Sequence, residues 1–392
     1  MTGPAIRTPR HDAADRPFIV IWEATRACPL ACLHCRAESI ARRDPRELGT
    51  AEALDLLAVD AFGAPCPLFV ITGGDPFQRP DLMELVERFS ARGVPVAVSP
   101  SGTPTLTPEN LRRLYDAGAH AISLSLDGSS AQIHDAFRGV PGVYDQTLAA
   151  WRTARQIGLK VQINTTVTGH NLTDLPNIVR LVHEYGAIVW SAFLLVPTGR
   201  GRALEQLDAA DVEDVLNFVY DAGKLVPSKT TEAHHYRRVT LQRLVLEQRG
   251  EDPAGVLGLG PLYQKLRAGL DALALPPRRT RRPPMQINAG SGFVFVSHTG
   301  EVFPSGFLPF AAGNVRERPL TELYRDTPLF RRMREPASLK GRCGACEFRQ
   351  VCGGSRSRAY GMTGDLLAEE PWCSYRPGSF PYQEQLAPLL AR

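Results

Sequence analysis

The chain has 392 residues, 43% hydrophobic and 22% charged, the proportions of a globular protein long enough for one large domain and a smaller one. With 45 basic against 41 acidic residues the net charge is only +4, too little for a nucleic-acid binder. No run approaches the ~20 apolar residues of a membrane span. The first 17 residues carry charge and proline rather than the apolar core of a signal peptide, so a cytoplasmic protein is expected.

Residues 1–17 read as an N-terminal extension, and 18–22 as the first strand. Directly after it come Cys28, Cys32 and Cys35, spaced C-x3-C-x2-C. A closed structural zinc or iron-sulfur site takes four protein ligands, so three thiolates on one short loop leave a corner open to a ligand that is not protein. The competing reading is a zinc site completed by His34 or a distant cysteine; adjacent His34 and Cys35 chelate one ion awkwardly. Strands then alternate with helices: strands at 68–72, 94–99, 121–126, 159–166 and 188–196, helices at 51–59, 80–91, 108–117, 144–157 and 175–185. Thr107 before Pro108 is an N-cap followed by proline at the first helical position, and Gly118 and Gly158 stand where helices stop. Repeated strand–helix units predict a parallel sheet, as a barrel or a doubly wound fold. Cys66, before an apolar run, reads as a buried core thiol.

The cysteine loop resembles that of the radical SAM superfamily, with His34 as the aromatic residue before the last cysteine. The resemblance implies a partial (β/α)6 barrel over 18–200, with S-adenosylmethionine (SAM) on the open iron of a three-cysteine 4Fe-4S cluster. One electron then cleaves SAM to a 5'-deoxyadenosyl radical that abstracts hydrogen; a reducing partner such as flavodoxin or ferredoxin is implied. Gly73, Gly74, Asp75 and Pro76 at the end of the second strand resemble the family's GGEP motif, with Asp75 for the usual Glu. Ser99, Ser101, Ser125, Asp127, Asn164 and Thr165, at the ends of later strands, are candidate SAM contacts; a turn or cap role competes at each.

Residues 201–285 read as a helical bridge. From 286 to 392 a hairpin signal precedes Cys343, Cys346, Cys352 and Cys373, which together satisfy a cluster or a zinc ion with no open corner. This group resembles the SPASM type of C-terminal extension, implying a second, auxiliary 4Fe-4S cluster for electron relay or structural support. Ser305 stands about where two-cluster SPASM domains carry a further cysteine, so one auxiliary cluster is expected. The region around Cys343 resembles tetrapyrrole-modifying members, the heme synthase group and its relatives that trim propionates. That makes the expected function an oxidoreductase, a decarboxylase of tetrapyrrole propionates in heme biosynthesis. Arg200, Arg202, Arg237 and Arg238 are the candidate propionate clamps, and His234 or His235 a candidate ligand of porphyrin iron or proton carrier. The stretch from Lys229 to Arg238 is expected to face the cavity. The alternatives are a maturase of a ribosomally made precursor peptide, of the mycofactocin kind, and a non-catalytic electron carrier. A carrier has no use for the strand-end motifs. No single residue is marked as catalytic.

Overall fold

The computed structural model describes residues 4–277 and 281–390; of the basic run near residue 280, Arg278 and Arg279 lie outside it. One ten-stranded sheet runs through the chain in the order β10-β9-β8-β1-β2-β3-β4-β5-β6-β7. Its strands are β1 Ile19–Glu23, β2 Leu68–Thr72, β3 Val96–Val98, β4 Ala121–Ser125, β5 Lys160–Val167, β6 Val189–Leu194, β7 Ser228–Thr231, β8 Phe293–Val296, β9 Glu301–Phe303 and β10 Gly313–Asn314. From β8 to β7 all neighbours are parallel, and the β8–β9 and β9–β10 pairs are antiparallel. The six strands expected from the alternation are all present, β3 shortened by its flanking Pro95 and Pro100.

The crossover helices are α1 Thr50–Leu56, α2 Leu82–Ala91, α3 Pro108–Asp116, α4 Ala131–Arg138, α5 Val143–Gln156 and α6 Leu175–Tyr185. The Thr107 hydroxyl does cap α3, accepting from the Asn110 N–H. Helix α4 was not expected from periodicity, being only eight residues long, but it has its own punctuation: Ser130 caps it and Gly139 ends it at φ +71°. The bridge holds α7 Ala209–Ala222, α8 Tyr236–Arg249, α9 Pro253–Leu257 and α10 Pro261–Ala272. Beyond the hairpin lie α11 Leu320–Asp326, α12 Pro328–Met333, α13 Gly341–Ala345, α14 Arg356–Thr363 and α15 Gln383–Leu390.

The bridge also contributes β7, and the C-terminal hairpin lies beside β1 in the sheet. Ser228, Lys229, Thr230 and Thr231 carry no apolar alternation, which is why β7 is hidden in the sequence; its backbone pairs with β6 at a sheet edge. One large core fills the space between sheet and helices, from Trp22 and Phe69 through Trp151 and Trp190 to Tyr324. A second, smaller core joins α8 and α15 to the C-terminal loops through Leu241, Val245, Phe348, Val351, Phe380 and Leu386. Cys66 is half-buried and packs against the large core.

Candidate active site: a three-thiol loop over a polar barrel wall

Parallel register decides which side chains share the inner face. Ser123 lies beside Gln162, Ser125 beside Asn164, Asn164 beside Ser191 and Ser191 beside Lys229. Along β5 the pattern from Lys160 alternates, with Val161, Ile163, Thr165 and Val167 buried against the helices and Gln162, Asn164 and Thr166 half-open on the other face. The inner wall from β4 to β7 is therefore polar, and Ser99 joins it through a hydroxyl pair with Ser123. Thr165 is a correction: it faces outward, donating to Leu126 O at 2.7 Å and accepting from the Trp190 indole at 3.0 Å.

The cysteine loop leaves the carboxyl end of β1 and lies on the end of β2. Gly74 N donates to Thr25 O and Asp75 N to Ala27 O, both at 2.7 Å. A Cβ on Gly73 would stand 2.4 Å from Thr25 O, and one on Gly74 2.3 Å from Ala27 O. Both glycines thus admit the cysteine loop's backbone. Asp75 is fully buried, accepting from Phe77 N, Ser101 N, Thr103 Oγ1 and Gln78 Nε2, and burial raises its carboxyl above the ordinary range. It ties the ends of β2 and β3 together and caps the turn begun by Pro76. Ser101 is likewise held, its hydroxyl donating to Gly74 O at 3.0 Å and lying 3.7 Å from Cys28 Sγ.

The three thiols gather with Leu30, Val140 and Val143. Around them the protein supplies donors: Leu30 N reaches Cys28 Sγ at 3.4 Å, and Arg138 Nη1 reaches Cys32 Sγ at 3.7 Å. Burial raises the Cys28 thiol. At Cys35 burial also pushes upward, but hydrogen bonds from Ser39 and the Arg200 charge outweigh it and leave the thiol below its usual value. His34 does not complete a ligand set; its ring stacks on Phe137 at 4.5 Å. Asp127 is buried and spent on Arg138 and Thr166 N, a second correction, since it locks α4 onto the sheet instead of facing a ligand.

Arg36, next to the last cysteine, was missed by motif reading. It bonds Glu23 Oε1 at 2.8 Å and Gly306 O at 3.1 Å and lies over Phe295, while Glu23 Oε2 faces His298 Nδ1 at 3.2 Å. Loop and hairpin are fastened to each other there. Only the apolar pattern of the hairpin hinted that it belonged near the loop.

The proposed clamps fare differently. Arg237 is buried and donates to the carbonyls of Val351, Cys352 and Ile287 and to Asn288 Oδ1. Arg238 is buried between Glu213 and Gln242. With the Nη groups of both engaged by the protein, neither offers its guanidinium fork to a substrate carboxylate. Arg202 is exposed, and Arg200 lies against the cysteine loop, its backbone N–H donating to Cys35 O at 3.1 Å. Of the stretch from Lys229 to Arg238, Lys229 stands in register with Ser191 on the inner face of the sheet. Among the described residues no carboxylate pairs with its ammonium, and burial, with Arg282 and Arg7 nearby, lowers it to about 8. His234 is half-buried and neutral, held well down by burial and by Arg237 and Arg356.

Cys343, Cys346, Cys352 and Cys373 ring one cavity at the edge of α8, with His235, Arg238, Phe348 and Tyr375 also in its lining. Burial pushes Cys346 and Cys352 up to about 12, so as free thiols they stay protonated. Among the described residues no three His, Cys, Asp or Glu side chains close to the spacing of a single metal ion. Ser305 is outside this ring, bonded to Glu232 Oε1 and the Ser357 hydroxyl.

A parallel sheet with three thiols on the loop after its first strand and a glycine pair at the end of its second defines a radical SAM fold. Residues 22–182 match the model of the Radical SAM superfamily, and the chain belongs to that superfamily, whose cofactors are SAM and a 4Fe-4S cluster. It is 41% identical to the AdoMet-dependent heme synthase of Nitratidesulfovibrio vulgaris over 95% of this chain and 97% of that one. To the enzyme of the same description from Methanosarcina barkeri it is 38% identical over 93% and 98%. The structure of Streptococcus suis SuiB bound to S-adenosylmethionine covers 94% of this chain and 78% of its own at a TM-score of 0.64 and 15% identity, a likeness of fold. Cys28, Cys32 and Cys35 fit the family's cluster, gathered at a strand end beside a polar wall. No helix among the described residues is long and apolar enough to cross a membrane.

Proposed function

We propose that this radical SAM enzyme decarboxylates propionate side chains of an iron-bearing tetrapyrrole, using a second 4Fe-4S cluster on Cys343, Cys346, Cys352 and Cys373. The observation that carries the reading is the 41% identity with a heme synthase across nearly the full length of both chains. The cluster on Cys28, Cys32 and Cys35, with SAM bound, supplies a 5'-deoxyadenosyl radical that takes a hydrogen atom from the substrate. Ser99, Ser125 and Asn164 on the inner wall offer hydroxyls and an amide to SAM, and Lys229 on the same wall offers its unpaired ammonium to a propionate. His234, held neutral by burial, supplies an imidazole suited to ligate the porphyrin iron.

Loss of a hydrogen atom and carbon dioxide from a propionate leaves a vinyl group and one surplus electron. The four thiols in their common cavity suit a second redox centre that such a surplus calls for, and their spread around a space supports a cluster over a single zinc ion. An external reductant of the flavodoxin or ferredoxin kind supplies the initiating electron.

The test is titration of the reconstituted enzyme with iron coproporphyrin, followed by the Soret band, and assay for 5'-deoxyadenosine and carbon dioxide. Lys229→Met should weaken porphyrin binding about tenfold or more, as expected for a charged hydrogen bond worth ~1.5–3 kcal/mol. Absence of porphyrin binding at micromolar concentration, with SAM cleavage stimulated instead by a precursor peptide, would establish the maturase reading.

A further inference from the structure

His235 is 1% exposed, at the turn between β7 and α8, and neither ring nitrogen has a hydrogen-bond partner among the described residues. A neutral imidazole carries one N–H donor and one acceptor, and leaving both unmet in the interior is costly. The ring lines the cavity formed by Cys343, Cys346, Cys352 and Cys373. The sequence had offered this histidine to porphyrin iron; the structure places it in the lining of the four-cysteine cavity.

We infer that His235 donates an N–H hydrogen bond to a sulfur of the auxiliary cluster, an inference that rests on the cluster proposed above. Four cysteine thiolates satisfy the four irons of a cubane, so what remains for a fifth group at the cavity wall is sulfur. Other donors already approach the thiols: Glu370 N lies 3.3 Å from Cys343 Sγ, Gly354 N 3.5 Å from Cys352 Sγ and Arg238 Nη2 3.9 Å from Cys373 Sγ. His235 differs from these in having no acceptor among the described residues. Its N–H stabilises the more negative, reduced cluster and raises the reduction potential, so His235 is a positioning residue for redox poise and does not touch substrate.

The experiment uses the full chain with Cys28→Ala, Cys32→Ala and Cys35→Ala together, so that the auxiliary cluster is observed alone by iron analysis and by redox titration followed by EPR. In this background about four irons per chain are expected. His235→Phe should keep the iron and lower the midpoint potential, and His235→Gln, which restores an N–H donor, should recover part of the shift. If the background chain assembles no cluster, the four-cysteine reading fails and the inference falls with it. If the cluster assembles and His235→Phe leaves its potential unchanged, the hydrogen bond alone is refuted. Loss of iron in both His235 variants would also overturn it, by showing that the ring itself is required.

Discussion

A methyl group on Gly74 would press against the Ala27 carbonyl, one residue before the first cluster cysteine, and backbone cannot swing aside as a side chain can. Gly74→Ala should displace the cysteine loop. Iron per reconstituted chain is expected to fall by about half, with SAM cleavage lost and the C-terminal cluster retained. The two arginines at 237 and 238 make the opposite point. They read as propionate clamps on a cavity-facing segment, because sequence shows a charge and not its partner. Burial of Arg238 against Glu213 gives it structural weight. Arg238→Ala, leaving Glu213 buried without its partner, should destabilise the fold by about 3–5 kcal/mol in urea unfolding, whereas exposed Arg202→Ala should change stability by less than about 0.5 kcal/mol.

Helix α4 turns on His134, fully buried, whose Nδ1 accepts from the Asp127 N–H at 3.0 Å. Burial, aided by Arg138, pushes this imidazole down to about 2. Its folded value lies below its unfolded value of about 6.5, so its contribution is present above that pH and drains away as pH falls through the interval. Between pH 7 and pH 5 the loss should be about 2 kcal/mol, read as the difference in pH dependence of urea stability between the parent and His134→Gln. An equal slope in both would rule the assignment out. The strand–helix alternation before residue 196 was legible because the strands carry buried apolar faces and Gly118 and Gly158 stop two of the helices. Helix α4 and β7 were not, since one is too short to show a period and the other is held by edge pairing with a polar inner face. Motif spacing likewise marked the seven clustered cysteines, while the inner-wall positions Lys229 and Gln162 depend on register, which no single strand reveals.

At the scale of the whole molecule, Arg358 fastens the C-terminal unit to the sheet. It is fully buried, lies 4.1 Å over Trp372, pairs with Glu370 and donates to the carbonyls of Leu194, Leu195 and Glu232 at the ends of β6 and β7. Glu232 holds a positive φ of 54° there, and its carboxylate is gripped by the hydroxyls of Ser305, Ser355 and Ser357. Arg358→Met removes this fastening, at a cost of about 3–5 kcal/mol. Thermal unfolding should then split into two transitions, with the absorbance of the C-terminal cluster lost in the earlier one; a single shared transition would show that the smaller core alone holds the unit in place.

The pairing of β1 with β8 also bears on how the protein is made. Glu23, at the end of β1, meets its partner His298 across 275 positions of chain. At a synthesis rate of roughly 5–20 residues per second, the first strand and its thiols wait on the order of tens of seconds before the hairpin that fastens their loop leaves the ribosome. During that interval the nascent loop lacks the Arg36 contacts to Gly306 and Phe295, so iron delivered then meets thiols less protected from oxidation than in the finished fold. Cluster insertion is accordingly expected after release of the chain, and co-expression with assembly machinery acting on complete proteins should raise iron occupancy more than slowing translation does.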